Sequence, residues 1–257
     1  MPKISAVIVA HNEEKKIEDC LKSLDFVDEI VVVLDKCTDL TKEIVLKFTD
    51  KIVEGSWNIE GARRNVSLES ATGDWILEID ADERISPELV KEILAIKDAK
   101  PGSFIAPIAN YIGSRHVKHG WLRTLGVLSR NSLSYKGLKK YHEDKEIHPT
   151  FDLDGDVHYL KNPITHLVDD DIADLIVRFN RYTNWRAADM LSRGKIKGGF
   201  FKHLISFKIR FLKSFFIKKG YKEGLLGVLI ATLAGLYPLV SYLKANDKSE
   251  EKNRENS

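Results

Sequence analysis

The sequence predicts an α/β fold built on a mostly parallel sheet. Short β-branched runs alternate with amphipathic helical segments over the first hundred residues, and the joins between them are short. One of those runs ends in a cluster of carboxylates, which is where an open α/β sheet binds its ligands. The alternation loosens after Pro101, which excludes a (β/α)8 barrel of this length.

Each element has its own local reason. Ile4–Ala10 is an apolar run of strand length that meets His11-Asn12-Glu13-Glu14 at once, too short for the core of a signal peptide. Ile17, Leu21 and Leu24 recur at helical spacing within Glu14–Leu24. Ile30–Leu34 reads as a second strand, Thr41–Phe48 as a second helix and Lys51–Val53 as a short strand. Gly61–Ala71 reads as a third helix and Trp75–Ile79 as a fourth strand. Ser86 followed by Pro87 has the form of an N-cap with proline at the first helical position, opening a helix to about Lys97. Further on, Phe104–Tyr111, Leu125–Ser129 and Val157–Tyr159 read as strands, and the charged, glycine-containing stretch Lys136–Asp156 as loop. Asp169–Leu191 is helical, with Leu175, Phe179 and Tyr182 on one face.

Composition narrows the function. In 257 residues, 43% are hydrophobic, enough for the core of one large or two small domains and too many for a disordered chain. Lys and Arg number 40 against 38 Asp and Glu, a net charge of +2 that lacks the excess of base a polyanion binder needs, so no nucleic-acid partner is expected. Cys20 and Cys37 have no C-x-x-C spacing, which argues against a disulfide scaffold or a cysteine zinc site and fits a reducing, cytosolic setting.

The sharpest feature is Ile79-Asp80-Ala81-Asp82-Glu83, where a strand ends and three carboxylates follow. Asp80 and Asp82 share a face in extended chain. Unscreened, they raise each other's pKa, and a hard divalent cation with a preference for oxygen resolves that conflict. A solvated acidic turn is the plain alternative, and a D-x-D alone does not decide between them.

Four motifs in order do decide. Val7-Ile8-Val9-Ala10-His11-Asn12-Glu13-Glu14, Val33-Leu34-Asp35-Lys36-Cys37-Thr38-Asp39, Gly61-Ala62-Arg63-Arg64-Asn65 and Trp75-Ile76-Leu77-Glu78-Ile79-Asp80-Ala81-Asp82-Glu83 together resemble family 2 glycosyltransferases with the GT-A fold. Within that family the D-A-D-E form, Tyr141-His142-Glu143, Pro163-Ile164-Thr165-His166 and Lys219–Gly224 are similar to β-glucosyltransferases of the lipopolysaccharide inner core. Leu40, where the second motif more often has Gly, and the choice between Leu34 and Asp35 as the base-contacting position are departures from the pattern.

The resemblance implies a GT-A domain over 1–192: a Rossmann-like, mostly parallel mixed sheet with helices on both faces. Its nucleotide-binding half would be 1–100 and its acceptor half 101–192. It implies a Mg2+ or Mn2+ cofactor on Asp82, with Asp80 coordinating it or meeting the donor ribose, and His166 as a further ligand or else a hydrogen-bonded core histidine. His11, Asn12, Glu13, Asp35, Asp39 and Arg64 would contact a nucleotide sugar, with a UDP-linked one expected. Structural alternatives stand beside these roles: Asn12 as a helix N-cap, Asp39 as a cap for the helix near Thr41, and Arg63 as a surface charge. Arg64 offers a fork that matches phosphate oxygens. Transfer also needs a base for the acceptor hydroxyl, for which Glu143 is the choice and Asp144 the runner-up.

The C-terminal quarter is different. From Arg193 to Lys222 there are ten Lys or Arg and no Asp or Glu, interleaved with Phe, Ile and Leu, the composition of an interfacial helix. Each such cation near an anionic leaflet contributes about 1 kcal/mol. Gly224–Leu243 then runs twenty residues without a charge and either spans a bilayer or lies in its interface, the second being favoured. Residues 193–245 are therefore read as a helical membrane-associating region and 246–257 as a disordered tail.

The expected function is an inverting, metal-dependent hexosyltransferase acting on a lipid-linked glycan at the cytoplasmic face of a membrane. The rivals are a polyprenyl-phosphate sugar synthase, a nucleotidyltransferase, which lacks its Gly-rich loop here, and a non-catalytic nucleotide-sugar-binding membrane adaptor.

Overall fold

Four neighbouring parallel strands form one side of the sheet, as the alternation predicts. A computed structural model describes residues 1–122, 124–144, 149–192, 194 and 200–255. In chain order the elements are β1 (Ile4–Ala10), α1 (Ile17–Lys22), β2 (Glu29–Asp35), α2 (Thr41–Val45), β3 (Ile52–Gly55), α3 (Glu60–Ser70), β4 (Trp75–Ile79), β5 (Glu83–Arg84) and α4 (Pro87–Ile96). There follow β6 (Gly102–Ile112), β7 (Arg115–His116), β8 (Ser129–Tyr135), β9 (Lys139–Tyr141), β10 (Phe151–Leu153), β11 (Asp156–Tyr159) and β12 (Ile164–Asp169). The last elements are α5 (Ile172–Ser192), α6 (Phe200–Leu212) and α7 (Gly224–Glu255). A π-helical turn (Lys213–Ile217) and a 3-10 turn (Gly220–Glu223) join α6 to α7.

The chain divides into two units, 1–109 with 129–166 and 110–128 with 167–257. In the first, the strand order is β3-β2-β1-β4-β8-β6. β1 to β4 are parallel, and β8 is antiparallel to both β4 and β6. One face of this sheet packs Ile8, Leu77 and Ile79 against Ile17, Cys20 and Leu21 of α1, Val45 of α2 and Leu89 and Ile93 of α4. The other packs Val7, Val31 and Ile76 against Leu68 of α3 and Tyr141. Alternate residues of each strand serve opposite faces, which is why the strands read as continuous apolar runs. Ser86 caps α4 as expected, its hydroxyl accepting from Leu89 N at 3.2 Å.

The second unit is helical. α5 and α7 enclose a core of Leu175, Phe179, Ile230, Leu233 and Ala234, joined by Trp121 and Leu125. The Arg178 guanidinium pairs with Asp169 and donates to the Leu125 carbonyl at 2.8 Å.

Three expectations are corrected. Leu125–Ser129 is not a strand; Val127 and Leu128 are exposed, and the strand is the more polar Ser129–Tyr135. The stretch read as loop holds the β9–β10 hairpin. The polar tail from Asn246 is helical to Glu255, since extending an existing helix needs no new nucleus and Asn246 bonds Glu250 one turn on at 2.7 Å. Residues 256–257, and the basic Arg193, Lys195 and Lys197, lie outside the described residues.

Candidate active site

The carboxyl ends of β1, β2 and β4 lie side by side because the three strands are parallel neighbours. Each end carries residues marked in the sequence: His11–Glu13, Asp35 and Asp80–Glu83. This edge is where an open α/β sheet takes its ligands.

After β4 the chain makes a tight turn. Glu83 N donates to the Asp80 carbonyl, and Asp80 N donates back to the Glu83 carboxylate, both at 2.9 Å. The turn leads into β5, which pairs antiparallel with β12 and sets His166 opposite Glu83. That pairing delivers a residue 84 positions away to the acidic loop: His166 Nε2 lies 3.3 Å from Asp82 Oδ2.

Asp80 has different neighbours. Arg130 bonds its Oδ2, and Arg64 lies 3.6 Å from its Oδ1. Arg130 also pairs with Glu83 and donates to the Glu78 carbonyl at 3.1 Å. The electrostatics follow from these contacts. Burial works to raise the Asp80 carboxyl, but Arg130 and Arg64 outweigh it and hold it well below the usual carboxylate range. At Glu83 burial wins over Arg130 and pushes the carboxyl up to about 7. Burial, reinforced by the Asp82 carboxylate, pushes Glu13 up to about 7 as well. The His166 imidazole is raised because Asp82 outweighs the effect of burial. The acidic turn and Glu13 thus set four carboxyl groups, two of them pushed toward their neutral form, against two arginines and an imidazole.

A hard carboxylate oxygen and an imidazole nitrogen facing each other suit Mg2+ or Mn2+. Asp82 and His166 fit such an ion as a pair. Asp80 fits it less well, because guanidinium groups face both its oxygens. Among the described residues no three His, Cys, Asp or Glu side chains close a metal site by themselves. An ion here would therefore need oxygens from substrate phosphates, a common arrangement for Mg2+.

The residues expected to meet the nucleotide are placed as follows. Asp35 is buried, with Oδ1 accepting from Trp57 N at 3.0 Å and Oδ2 paired with Arg63 at 2.6 Å. Arg63 is therefore no idle surface charge. Asp39 is held where the second loop enters α2: it accepts from Thr41 N at 3.0 Å, the Thr41 hydroxyl at 2.6 Å and Glu14 N at 3.1 Å. Asn12 does not cap α1. It sits at φ +56°, a conformation asparagine tolerates, and accepts from Thr38 N at 2.8 Å, tying the first loop to the second. His11 is exposed, with Nδ1 2.6 Å from the Asp35 carbonyl.

α3 positions the remaining candidates. Arg64 bonds Glu60 through Nε at 3.0 Å and lies over the Tyr141 ring, 5.8 Å from its centroid. Asn65 is buried. Its amide donates to the Tyr141 carbonyl and to Glu143 Oε1, each at 2.9 Å, and its oxygen accepts from Tyr141 N at 2.8 Å. One turn earlier is Gly61, where a Cβ would meet the His142 carbonyl at 2.1 Å. Only glycine lets the 141–143 segment lie this close on the helix. Glu143 and Asp144 are exposed.

Two features escaped the sequence reading. Arg130 was missed because the strand that carries it was placed too early. The buried network of Glu78, Lys139 and Tyr141 was missed too, although a lone Glu inside the apolar run Trp75–Ile79 was a signal, since a buried charge needs a partner. Lys139 pairs with Glu78 and donates to the Asn131 carbonyl at 3.0 Å, and the Tyr141 hydroxyl donates to Glu78 at 2.7 Å.

The family model "Glycosyl transferase family 2" matches residues 5–161, more than half of the chain. The chain belongs to glycosyl transferase family 2. This glycosyltransferase is 26% identical over 264 residues to the "Lipopolysaccharide core biosynthesis glycosyltransferase LpsC" of Rhizobium meliloti (strain 1021), covering 98% of this chain and 95% of LpsC. It is 36% identical over 110 residues to the "Poly(ribitol-phosphate) beta-N-acetylglucosaminyltransferase TarS" of Staphylococcus aureus (strain Mu50 / ATCC 700699), covering 38% of this chain and 19% of TarS. Among solved structures it is similar to S. aureus TarS 1–349 in complex with UDP, with 19% identity and a TM-score of 0.49 over 99% of this chain and 92% of that one. Glucosyl-3-phosphoglycerate synthase from Mycobacterium tuberculosis, solved with Mn2+ and UDP-glucose, aligns at 24% identity and a TM-score of 0.36 over 43% of this chain and 44% of its own. The sheet order and the family agree with the GT-A fold expected of the glycosyltransferase.

Proposed function

We propose that this glycosyltransferase is inverting and metal-dependent, and that it moves a hexose such as glucose from a UDP-linked donor to a lipid-linked glycan. The acceptor class is lipopolysaccharide core or a related cell-surface glycan, and the place is the cytoplasmic face of a membrane. The similarity to LpsC over nearly the whole chain supports the acceptor class. One juxtaposition carries the chemistry: Asp82 Oδ2 and His166 Nε2, 3.3 Å apart at the carboxyl edge of the parallel strands.

In this reading Asp82 and His166 hold Mg2+ or Mn2+, which when bound supplies Lewis-acid stabilisation of the departing diphosphate. Arg64 faces the diphosphate oxygens with its guanidinium fork. Asp80, kept ionised by Arg130 and Arg64, is the partner for the donor ribose. His11, Asn12 and Glu13 form the base-side loop, and Asp35 and Asp39 set its shape. The acceptor oxygen bonds C1 of the sugar as the bond from C1 to the diphosphate oxygen breaks, and Glu143 takes the acceptor proton, with Asp144 as the second candidate. Attack opposite the leaving group inverts the anomeric centre, so an α-linked donor gives a β-linked product.

The test is a screen of nucleotide sugars for thermal stabilisation and slow hydrolysis, with and without Mn2+. A UDP-hexose with Mn2+ raises Tm in the native enzyme, and Asp82→Asn removes the metal-dependent part. Equal stabilisation of the native and Asp82→Asn proteins by metal and donor rejects the reading.

A further inference from the structure

α6 and α7 pack antiparallel along their length. His203 stacks on Tyr242 with ring centroids 4.4 Å apart, and Arg210 Nε donates to the Ala234 carbonyl at 2.7 Å. Nearer the turn, a Cβ on Gly227 would meet the Gly220 carbonyl at 1.8 Å. By length and composition α7 could cross a membrane. Yet part of its apolar run is already used in packing: Ile230, Ala231 and Ala234 are fully buried within this unit, while Leu225, Val228 and Leu243 stay exposed. Its partner α6 is unsuited to spanning. Lys202, Lys208 and Lys213 are spread along the same length and exposed, so a spanning α7 would carry them into hydrocarbon.

The outward face of α6 has a different character. Ile205, Ile209 and Leu212 are 60%, 60% and 51% exposed, and the stripe continues through Phe216 and Ile217 at 57% and 71%. Spacings of four, three and four residues keep these side chains on one side of the helix. The π-helical turn inserts the extra residue that leaves both Phe216 and Ile217 outward. By helical position Lys208 borders one edge of the stripe, and Lys202 and Lys213 the other. Lys218, Lys219 and Lys222 follow at its end and are exposed. Between residues 200 and 223 the lone acid is Glu223, and its carboxylate is buried, taken up by Arg115 and by the backbone N–H groups of Lys118 and His119. An apolar ridge rimmed on both sides by lysine, without an exposed acid, matches the acyl boundary and headgroups of an anionic leaflet.

We propose that the α6–α7 hairpin lies in the plane of an anionic membrane surface, that the Ile205–Ile217 stripe of α6 is the part that enters it, and that α7 does not cross the bilayer. This rests on the membrane-surface reading above and decides between its two forms.

The experiment is co-sedimentation of the full chain with vesicles of phosphatidylcholine alone or of equimolar phosphatidylcholine and phosphatidylglycerol. The native protein binds the anionic vesicles, and the I205S/I209S/F216S variant binds them at least about tenfold more weakly, with its circular dichroism unchanged. A second arm places an environment-sensitive label at Ile209→Cys in a Cys37→Ser background. Brominated lipids with shallow bromines quench it, and a label at Asp247→Cys stays accessible to a quencher added outside the vesicles, as does one at Leu225→Cys. Three results overturn the proposal. Equal binding of the native and serine variants, or an unquenched Ile209 label, moves the contact elsewhere. Labels at Leu225 and Asp247 reporting from opposite sides of the bilayer make α7 a span. A native dimer that the serine variant breaks, with no vesicle binding, makes the stripe an interface between two copies. Absence of native binding without such a dimer rejects the membrane reading itself. If the serine variant does not fold, the label arm decides.

Discussion

Asn65 and Glu143, 78 residues apart in the chain, are joined by a 2.9 Å hydrogen bond in which the Asn65 amide donates to Glu143 Oε1. The same side chain satisfies both the N–H and the carbonyl of Tyr141. Helix α3 thus sets the direction of the carboxylate proposed to take the acceptor proton. Glu143→Gln keeps the hydrogen-bonding shape and removes the base. We expect kcat to fall by about 10²–10⁴-fold with the donor KM little changed, measured by product formation on a hydroxyl acceptor. A polyprenyl-phosphate synthase, whose acceptor is already ionised, would tolerate the change.

Asn65→Ala tests the positioning itself. It leaves the buried Tyr141 backbone groups without partners, so stability falls by about 1–3 kcal/mol in urea unfolding. Activity falls as well, mainly in kcat, because the carboxylate is still present but no longer aimed. A variant with native kcat and reduced stability would confine Asn65 to the fold.

Asp82 is half-buried, and its carboxylate lies 3.3 Å from His166 Nε2. Asp82→Asn should therefore change urea stability by no more than about 1 kcal/mol while lowering transfer by about 10²-fold or more. The Tm increase produced by Mn2+ with donor disappears in the same variant. His166→Ala reduces that increase without abolishing it.

Arg130 binds two carboxylates, that of the buried Glu83 and that of the half-buried Asp80. Arg130→Ala leaves Asp80 and Glu83 facing each other without it, a loss of about 3–5 kcal/mol by denaturant unfolding. Arg130→Lys recovers only part of this, since one ammonium cannot reproduce a fork that holds both acids.

Glu29 gives the pH signature of the fold. Burial works to raise its carboxyl, but donation from Lys51, Ser5 and Thr72 outweighs this and lowers it to about 2. A depressed folded-state pKa stabilises the fold above the unfolded value of 4.5, and that contribution is lost as pH falls toward 2. Glu29→Gln should cost about 2–3 kcal/mol near pH 7, and the difference from the native protein should shrink steadily below pH 4.5. A pH-independent difference would assign the loss to packing.

The parts of the fold visible in the sequence are those whose causes are local. β1, β2 and β4 are continuous apolar runs, and α4 begins at Ser86-Pro87 because a hydroxyl cap and a proline suit a first helical turn. β8 was hidden because it is mostly polar: Ser132 and Ser134 are buried by pairing with β4 and β6, and Leu133 is its one large aliphatic residue. Arg130 disappeared with it. Asp80, Asp82 and His166 were marked by residue type and motif, but only the β5–β12 pairing brings His166 to Asp82. The contacts of Asp35 and Asp39 depend on partners far away in the chain, the Trp57 N–H and the Arg63 side chain for the one and the Glu14 N–H for the other, which residue spacing does not encode.

The β5–β12 ladder also orders events in time. Synthesis runs from the N-terminus, so the parallel strands β1 to β4 and the acidic turn emerge well before Thr165 and His166. A nascent chain can assemble the carboxyl edge of the parallel strands early, yet Asp82 gains its histidine neighbour only after a late strand has threaded back to Arg84. Ribosome-bound chains that have not yet reached Thr165 therefore carry the acidic turn without its imidazole.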